Sequence, residues 1–372
     1  MGKTILLAGG GTAGHVSPLL ATAAELTRRG HNVVALGTAT GLEADLVPRA
    51  GVAFRAIPRV PFPRRINGAA FRFPAALAGA LRATRRVMDE IAPDVVVGFG
   101  GFVSTPAYIV ARRRRIPIVV HEANSKAGLA NRLGARYAAA VATNYASTAL
   151  PGAVVIGMPL REEIVALAKA LRHPRSATVA RIEARLALRW PEDARAVLVM
   201  GGSLGASRLN SATAEAIPAI VGHGIHVLHI TGRGKDDSPA RALGDLAAKY
   251  RSQYVVREYE HDMASAYAAV DAVVCRAGAV TVAEVSALGL PALYVPLPIG
   301  NGEQAQNAAP AVAAGAALVI EDDWLTSAAV TLALEEILLD DDDRARITKA
   351  ARSLGVLDAT ARLADMIERV AR

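Results

Sequence analysis

The hydrophobic pattern of the chain alternates short apolar runs with longer segments whose apolar residues recur every three or four positions. Short apolar runs of this kind predict buried strands, and the longer segments predict helices. In the first half of the chain the predicted strands are residues 4–7, 32–36, 52–57, 95–97, 116–120 and 140–143. In the second half they are residues 196–199, 226–230, 254–256, 272–275, 292–295 and 317–319. This alternation predicts an α/β fold with two parallel sheets, each covered by helices on both faces.

Helical spacing is clearest over residues 18–28, which end before Gly30, and over residues 74–90. Apolar residues at the same spacing near the end of the chain predict a terminal helix over about residues 352–372. We expect that helix to pack back on the first half of the chain.

A turn signal at residues 157–159 divides the chain into two predicted domains. The first covers residues 1–160, and the second covers residues 161–351. Ligands of open α/β sheets bind beyond the carboxyl ends of the strands, so we expect ligands in a cleft between two such domains.

Two glycine-rich turns each follow a predicted strand: GGGTAGH at residues 9–15 and GGSLG at residues 201–205. A strand that turns through glycines into a helix offers free backbone N–H groups to a phosphate without a metal. The first turn also fits the G-x-G-x-x-G pattern of dinucleotide sites, in which an acid ends the second strand and holds the ribose. That acid is missing here, where Glu43 and Asp45 are the nearest acids. The sequence therefore disfavours a nicotinamide-dependent dehydrogenase.

His15 follows the first glycine turn and lies at the start of a predicted helix. The positive end of a helix dipole favours a neutral imidazole, which suits a general base. The alternatives are that His15 caps the turn or binds a phosphate oxygen.

Further polar residues follow other predicted strands. Glu122 could act as a base, orient a hydroxyl or anchor its loop, while Asn124 offers an amide that can both donate to and accept from sugar hydroxyls. In the second half, backbone amides of residues 279–281 could hold phosphate, and Glu284 could accept hydrogen bonds from both hydroxyls of a ribose. The loop over residues 296–304 adds further amide and carboxylate groups.

The formal charge of +8 is concentrated in the first half, where residues 1–160 hold 19 Lys and Arg against 7 Asp and Glu. Residues 59–88 contain seven arginines, no acid and several interspersed aromatic and aliphatic side chains. Such a segment suits an anionic membrane surface, and a solvated helix face is the alternative. The basic run Arg112–Arg115 is more typical of solvent-facing residues. No motif typical of DNA or RNA recognition is present, so we do not expect nucleic acid as a partner.

The compartment is predicted from the ends and the cysteine content of the chain. Cys275 is the single cysteine, so no internal disulfide can form, and the first residues run into a predicted strand without a signal-peptide pattern. We therefore expect a cytoplasmic protein.

Seven motifs, spread in order over essentially the whole chain, resemble the MurG family of bacterial N-acetylglucosaminyltransferases. They are GGGTAGH at 9–15, GFGG at 98–101, HEAN with AGLAN at 121–131, GMPLRE at 157–162, GGSLG at 201–205, CRAGAVTVAE at 275–284 and NGEQ at 301–304. The resemblance implies a GT-B fold, in which two Rossmann-like domains face each other across a cleft. It also implies an inverting transfer that requires neither a metal nor a cofactor.

The same resemblance implies the substrates. The donor would be UDP-N-acetylglucosamine (UDP-GlcNAc), and the acceptor would be the C4 hydroxyl of N-acetylmuramic acid (MurNAc) in undecaprenyl-pyrophosphoryl-MurNAc-pentapeptide (lipid I). The product would be lipid II of peptidoglycan synthesis. The enzyme would act as a peripheral protein on the anionic cytoplasmic face of the cell membrane.

Carried over by position, the resemblance assigns site residues in both halves. His15 would be the general base, with Glu122 as the second candidate, and Gly100 and Gly101 would bind the acceptor's pyrophosphate. The remaining substrate-binding residues would be Thr12, Ala13, Gly14, Asn124, Arg161, Gly202, Ser203, Ala279, Val280, Thr281, Glu284 and Gln304.

The sequence departs from the family pattern at two positions. Ala13 replaces a glycine that is frequent in the first turn, and Glu303 stands where many members have a glutamine, so only Gln304 is assigned to the sugar.

Three other functions are alternatives to this transfer. They are a glycolipid synthase that transfers galactose to diacylglycerol, a UDP-sugar epimerase and a non-catalytic scaffold.

Overall fold

The computed structural model describes residues 2–62, 68–202, 206–298 and 301–371. The chain forms two compact units. The first unit comprises Met1–Arg161 together with Asp358–Arg372, and the second unit comprises Glu162–Leu357. The boundary predicted from the turn at residues 157–159 lies close to this division.

The first unit contains a parallel sheet of seven strands in the order β3-β2-β1-β4-β5-β6-β7. The strands are β1 Thr4–Gly9, β2 Asn32–Thr38, β3 Ala53–Ile57, β4 Val95–Gly100, β5 Ile118–Glu122, β6 Ala140–Thr143 and β7 Ala153–Val155. The sequence analysis missed β7, although residues 153–156 are all apolar. It is a three-residue edge strand, and Val154 and Val155 are about half exposed.

Among the residues that the structure describes, five helices connect these strands: α1 Ala13–Arg28, α2 Glu43–Arg49, α3 Gly68–Ile91, α4 Ser104–Arg113 and α5 Leu129–Ala135. Two of them begin earlier than predicted, because the prolines taken as helix starts, Pro18 and Pro74, lie inside α1 and α3. The early start of α1 places His15 within its first turn.

The second unit contains a parallel sheet of six strands in the order β10-β9-β8-β11-β12-β13. The strands are β8 Arg195–Met200, β9 Ile225–Ile230, β10 Tyr254–Arg257, β11 Ala272–Cys275, β12 Ala292–Tyr294 and β13 Ala317–Val319. Its helices are α6 Glu162–Ala170, α7 Pro174–Ala187, α8 Ser207–Gly222, α9 Asp237–Asp245, α10 Met263–Ala268, α11 Ala279–Leu288, α12 Glu303–Ala313, α13 Ser327–Leu338 and α14 Asp341–Leu354. The predicted α/β class with two Rossmann-like parallel-sheet units, the components of a GT-B fold, is confirmed.

Both faces of the first sheet are covered, as the near-continuous apolar strands require. Ile5 and Leu7 belong to one buried cluster, while Leu6 and Ala8 belong to the cluster on the opposite face. This alternation follows from the two-residue period of a strand. Because both faces of β1 are filled by side chains, its carboxyl end is left as the place where polar chemistry can occur.

The last helix, α15 Ala359–Val370, belongs to the first unit. Its buried residues, which include Leu363 and Ile367, join the cluster that contains Ile5. The helix begins later than the predicted residue 352, because α14 ends at Leu354 and Gly355 packs closely on α11 of the second unit. A Cβ atom at Gly355 would lie 2.7 Å from the Cα of Ala287.

Candidate active site

The carboxyl ends of β1, β4 and β5 are neighbours in the first sheet, and the strand order reverses between β1 and β4. Such a reversal is where open α/β sheets bind their ligands. The first glycine turn follows β1, Gly100 ends β4, and Glu122 ends β5. The first unit therefore brings the predicted residues Thr12, Ala13, Gly14, His15, Gly100, Gly101, Glu122 and Asn124 to one edge of one sheet.

His15 is half-buried in the first turn of α1. Its Nδ1 atom lies 3.0 Å from the carbonyl oxygen of Gly10 and 3.2 Å from Oγ1 of Thr12. A carbonyl oxygen can only accept a hydrogen bond, so this geometry assigns the proton of the neutral ring to Nδ1. The lone pair is then on Nε2, which is the atom available to take up a proton.

Gly100 and Gly101 pack directly against the first glycine turn. Their φ angles of +104° and +81° lie in the region that favours glycine. A Cβ atom at Gly100 would lie 2.9 Å from Cδ2 and Nε2 of His15, and one at Gly101 would clash with the carbonyl oxygen of Gly10. Because the two loops approach each other so closely, neither position has room for a side chain.

Ser104 holds this turn in place by hydrogen bonds. The N–H of Gly100 donates to Oγ of Ser104 at 3.0 Å, and the hydroxyl lies 3.0 Å from the carbonyl oxygen of Ala8 and 2.8 Å from that of Gly100. The side chain is fully buried, so these hydrogen bonds tie the end of β4 to β1. The sequence analysis did not identify Ser104.

Glu122 is only 2% exposed, and each of its carboxylate oxygens accepts hydrogen bonds. Oε1 accepts from the backbone N–H of Asn124 at 2.9 Å and from its side-chain amide at 3.3 Å. Oε2 accepts from the backbone N–H of Gly128 at 3.0 Å and from Nδ2 of Asn131 at 2.9 Å. The carboxylate thus organises the loop that carries Asn124.

Asn131 extends this network into the core. Its Oδ1 accepts the hydroxyl of Tyr108 at 2.8 Å, and burial raises the pKa of that tyrosine, which keeps the hydroxyl protonated as a donor. A Cβ atom at Gly98 would clash with the same hydroxyl, so the glycine makes room for the tyrosine. The rigid support of the loop therefore reaches from Glu122 to the middle of β4.

His121 precedes Glu122 and is fully buried. Its Nε2 atom donates to the carbonyl oxygen of Gly157 at 3.1 Å, and burial lowers the pKa of the ring. Gly157 begins a short segment that ends at Arg161. Arg161 is half-buried and is the last residue of the stretch Met1–Arg161 of the first unit.

In the second unit the strand order reverses between β8 and β11. The helix α11 begins just after β11, and its N-cap, Gly278, is extended and provides no side-chain hydrogen bond to the first turn. The predicted phosphate-binding residues Ala279, Val280 and Thr281 form that first turn. Their backbone N–H groups mark a position suited to an anion.

Glu284 lies further along α11 and is 6% exposed. Its Oε2 accepts the hydroxyl of Tyr267 at 3.1 Å, and the same hydroxyl lies 4.0 Å from the sulfur of Met200 at the end of β8. Tyr267 is a further residue that the sequence analysis did not identify, because it lies on α10, outside every recognised motif. It orients the carboxylate that was assigned to the ribose.

The remaining predicted residues of the second unit are Gly202, Ser203 and Gln304, and Gln304 lies in the first turn of α12. Gly202 is exposed and has a φ of +75°, and Ser203 lies outside the described residues. Oε1 of Gln304 accepts the N–H of Leu297 at 2.9 Å, while Oε2 of Glu303 accepts the N–H of Asn301 at 2.9 Å. Glu303 therefore stabilises the turn that leads into α12.

Within the described ranges, no group of three or more His, Cys, Asp or Glu side chains is arranged to hold a metal ion. Cys275 is fully buried at the end of β11, and burial raises the pKa of its thiol. A buried thiol of this kind is unreactive.

Comparison with known proteins identifies both units. The model of the glycosyltransferase family 28 N-terminal domain matches residues 5–143, and that of the glycosyltransferase family 28 C-terminal domain matches residues 196–370. The residues that form the glycine turn, the Glu122 loop and the start of α11 all lie inside these matches.

The chain is also similar to curated relatives over nearly its full length. It is 46% identical to proteins from Paenarthrobacter aurescens and Mycolicibacterium vanbaalenii, over 98% and 99% of this chain and 95% and 90% of theirs. Both are named UDP-N-acetylglucosamine–N-acetylmuramyl-(pentapeptide) pyrophosphoryl-undecaprenol N-acetylglucosamine transferase.

A solved structure, that of MurG from Acinetobacter baumannii, is 25% identical and superimposes with a TM-score of 0.77. The match covers 99% of this chain and 100% of that chain. The chain therefore belongs to glycosyltransferase family 28.

Proposed function

We propose that the protein is an inverting glycosyltransferase that moves N-acetylglucosamine from UDP-GlcNAc to the C4 hydroxyl of MurNAc in undecaprenyl-pyrophosphoryl-MurNAc-pentapeptide. The observation that carries the proposal is the 46% identity, over nearly the whole chain, to relatives named for this transfer. The local geometry of each unit supports it, because the first unit offers a base and the second offers an anion site with an adjacent carboxylate.

In this proposal Nε2 of His15 removes the proton from the acceptor hydroxyl. The hydrogen bond from Nδ1 to Gly10 supports this assignment, because it leaves the lone pair on Nε2. As the proton leaves, the hydroxyl oxygen attacks the anomeric carbon from the face opposite to UDP, and the bond to UDP breaks. The configuration is inverted and a β1,4 linkage results.

Glu122 supports the reaction as a loop anchor in this proposal, and not as the base. Its two oxygens already accept four N–H groups, and its side chain is buried. A carboxylate held in this way is a poor proton acceptor for an incoming hydroxyl. Its contribution is to fix Asn124, whose amide would bind sugar hydroxyls.

The donor would be held by the second unit. The N-terminus of α11 would bind the diphosphate, and the carboxylate of Glu284 would accept hydrogen bonds from the ribose hydroxyls. Gln304 would contact the hydroxyls of the sugar, with its carbonyl oxygen already held by Leu297. Charge that develops on the departing diphosphate would be stabilised by helix N-termini and by Arg161.

We further propose that the first unit docks on an anionic membrane surface, at the cytoplasmic face where a lipid-linked acceptor would present its sugar. Arg72, Arg82, Arg85 and Arg86 are exposed along α3. Phe62, which is 62% exposed, packs edge-to-face on Phe73 of the same helix. Arginines interspersed with exposed aromatic rings suit an anionic interface.

Arg59 of the predicted basic segment is also exposed, and its guanidinium carbon lies 5.4 Å from the ring centroid of Phe102. Arg64 and Arg65 lie outside the described residues. Among the helices of the described ranges, none is both long and apolar enough to cross a bilayer.

Transfer of radiolabel from UDP-GlcNAc to a synthetic lipid I analogue tests the catalytic proposal. We expect a labelled product that requires the acceptor, and far less product from UDP-GalNAc, which differs only at the C4 hydroxyl of the sugar. Conversion of the donor to an epimer without acceptor would favour an epimerase. Transfer of galactose to diacylglycerol would favour a glycolipid synthase.

A further inference from the structure

A buried carboxylate contacts the glycine turn that precedes His15. The side chain of Glu43, at the start of α2, is fully buried. A Cβ atom added at Gly10, Gly37 or Gly41 would clash with this side chain. The absence of side chains at these three glycines therefore leaves the space that the carboxylate occupies.

The carboxylate accepts hydrogen bonds from two backbone segments. Its Oε2 accepts the N–H of Gly11 at 2.9 Å, and its Oε1 accepts the N–H and the hydroxyl of Thr38 at 2.9 and 2.7 Å. Burial raises the pKa of Glu43, but these hydrogen bonds outweigh that effect and hold the pKa below its usual value. The group is thus an ionised acceptor at neutral pH.

The N–H of Gly11 and the carbonyl of Gly10 belong to the same peptide unit. In a trans peptide these two groups point in opposite directions, and the chain has no cis peptide bond among its described residues. One side of this peptide unit donates to Glu43, and the other accepts from Nδ1 of His15 at 3.0 Å. The orientation of the peptide unit at Glu43 therefore determines whether a carbonyl faces His15.

We propose that Glu43 is a positioning residue for His15, acting through the Gly10–Gly11 peptide unit. The carboxylate holds the N–H of Gly11, and this hydrogen bond keeps the carbonyl of Gly10 turned towards the imidazole. The carbonyl in turn keeps the proton on Nδ1 and the lone pair on Nε2. The proposal rests on the assignment of His15 as the base in the proposed function.

The same contact means that the N–H of Gly11 is already occupied by a protein carboxylate. In a dinucleotide site the corresponding turn offers its amides to the ligand's phosphate. Here an ionised side chain takes that place, so the first glycine turn serves to orient the imidazole. The second strand also lacks the terminal acid that holds the ribose in a dinucleotide site, which agrees with an orienting role for this turn.

Glu43→Gln is the direct test. Glutamine has nearly the same volume but only one acceptor oxygen, so it cannot accept from both Gly11 and Thr38 without opposing its NH₂ group to a backbone N–H. We expect kcat to fall about 10- to 100-fold, less than the roughly 10⁴-fold loss seen when a carboxylate bonded directly to a catalytic histidine is neutralised. The Kd of UDP-GlcNAc, which would bind to the second unit, should stay within about twofold.

Glu90→Gln is the matched control. Glu90 lies in the same unit and pairs with Arg55 on the surface, so the same change of charge there should leave kcat unaltered. An equal loss in both variants would overturn the proposal, because the effect would then come from charge alone.

The spectroscopic readout is the tautomer of His15. Chain labelled with ¹⁵N-histidine, compared with His15→Gln for assignment, should show His15 protonated on Nδ1 in the wild type and a larger share of the Nε2–H form in Glu43→Gln. A folded Glu43→Gln variant with an unchanged tautomer would overturn the proposal, whether or not kcat falls.

Wild-type measurements keep the test decisive if Glu43→Gln does not fold. The Gly11 amide proton should be protected from exchange and shifted downfield by the carboxylate; rapid exchange, or an Nε2–H tautomer in the wild type, would overturn the proposal. Neither measurement requires a substrate. A failure of the transfer assay would therefore reject the proposed function without being confused with a failure of this inference.

Discussion

Gly100 lies directly against His15: a Cβ atom at this glycine would be 2.9 Å from both Nε2 and Cδ2 of the imidazole. A real Cβ atom does not approach carbon or nitrogen so closely, and the φ of +104° disfavours alanine as well. Gly100→Ala should therefore displace His15 and lower kcat about 100-fold, since small displacements of catalytic groups have effects of this size. Steady-state transfer kinetics would measure the loss.

The control for Gly100→Ala is Gly152→Ala in the same unit. Gly152 also has a positive φ, of +64°, but a Cβ atom at this glycine would have no neighbour within 4 Å. This variant should lose some stability and keep its kcat. If the two variants lost activity equally, backbone strain and not the contact with His15 would be responsible.

His15 itself should be essential for the chemical step. His15→Gln removes the proton acceptor, and general-base catalysis contributes about 10²- to 10⁴-fold, so we expect kcat to fall by at least about 100-fold. Donor binding, measured by calorimetry, should not change. His173→Gln is a suitable comparison, because His173 is an exposed residue of the second unit that makes no side-chain cap. Near-normal turnover in His15→Gln would reject His15 as the general base and leave Glu122 as the other candidate.

Much of the fold was accessible from the sequence. Every predicted strand is present, because buried parallel strands are continuous apolar runs that stand out between helices. The starts of α1 and α3 were less accessible, since Pro18 and Pro74 read as first-turn residues but lie inside longer helices. The late start of α15 depends on the contact of Gly355 with Ala287, which local spacing cannot reveal.

The chemistry of the site was accessible only in part. The motifs pointed to His15 and Glu122, but not to the four N–H groups around Glu122 or to the carbonyl that fixes the tautomer of His15. Glu43 was visible merely as an acid in the wrong place for a ribose. Its position also depends on Gly10, which is distant from it in sequence, so the contact becomes visible only in three dimensions.

The terminal helix α15 should be held mainly by apolar packing. Leu363 is fully buried in the cluster of the first sheet, and Leu363→Ala should lower the free energy of local unfolding by about 2–5 kcal/mol. Asp365 pairs with Arg29 at 2.6 Å but is about half exposed, so Asp365→Ala should cost no more than about 1 kcal/mol. Hydrogen exchange of residues 359–370 would compare the two variants. A larger effect of Asp365→Ala would show that the ion pair dominates.

The second unit should lose stability in mild acid because of His229. Burial lowers the pKa of this histidine to about 3 from the ordinary 6.5. The unfolded chain therefore takes up a proton below about pH 6.5 that the folded chain does not, so stability falls as the pH decreases. For this one group the loss between pH 7.5 and pH 5 is about 2 kcal/mol.

Urea denaturation followed by tryptophan fluorescence would measure this loss, because both tryptophans, Trp190 and Trp324, lie in the second unit. His229→Gln should reduce the difference between pH 7.5 and pH 5 by about 2 kcal/mol. Part of the difference should remain, since burial also lowers the pKa of His226. An identical pH dependence in the variant and the wild type would reject the assignment to His229.

Membrane docking should depend on the exposed arginines of α3. Reversing Arg72, Arg82 and Arg86 to glutamate removes three cations, each contributing about 1 kcal/mol near an anionic surface, so vesicle binding should weaken by about 100-fold or more. Sedimentation with vesicles that contain anionic lipid would measure this, and raised salt should weaken wild-type binding in the same direction. The matched control reverses three exposed cations of the second unit, Arg175, Arg241 and Lys349, and should bind almost as the wild type does. Because both triple variants change the net charge equally, only a local effect of α3 can separate them. α3 would be rejected as the docking surface if wild-type vesicle binding did not depend on salt, or if the two triple variants lost vesicle binding equally.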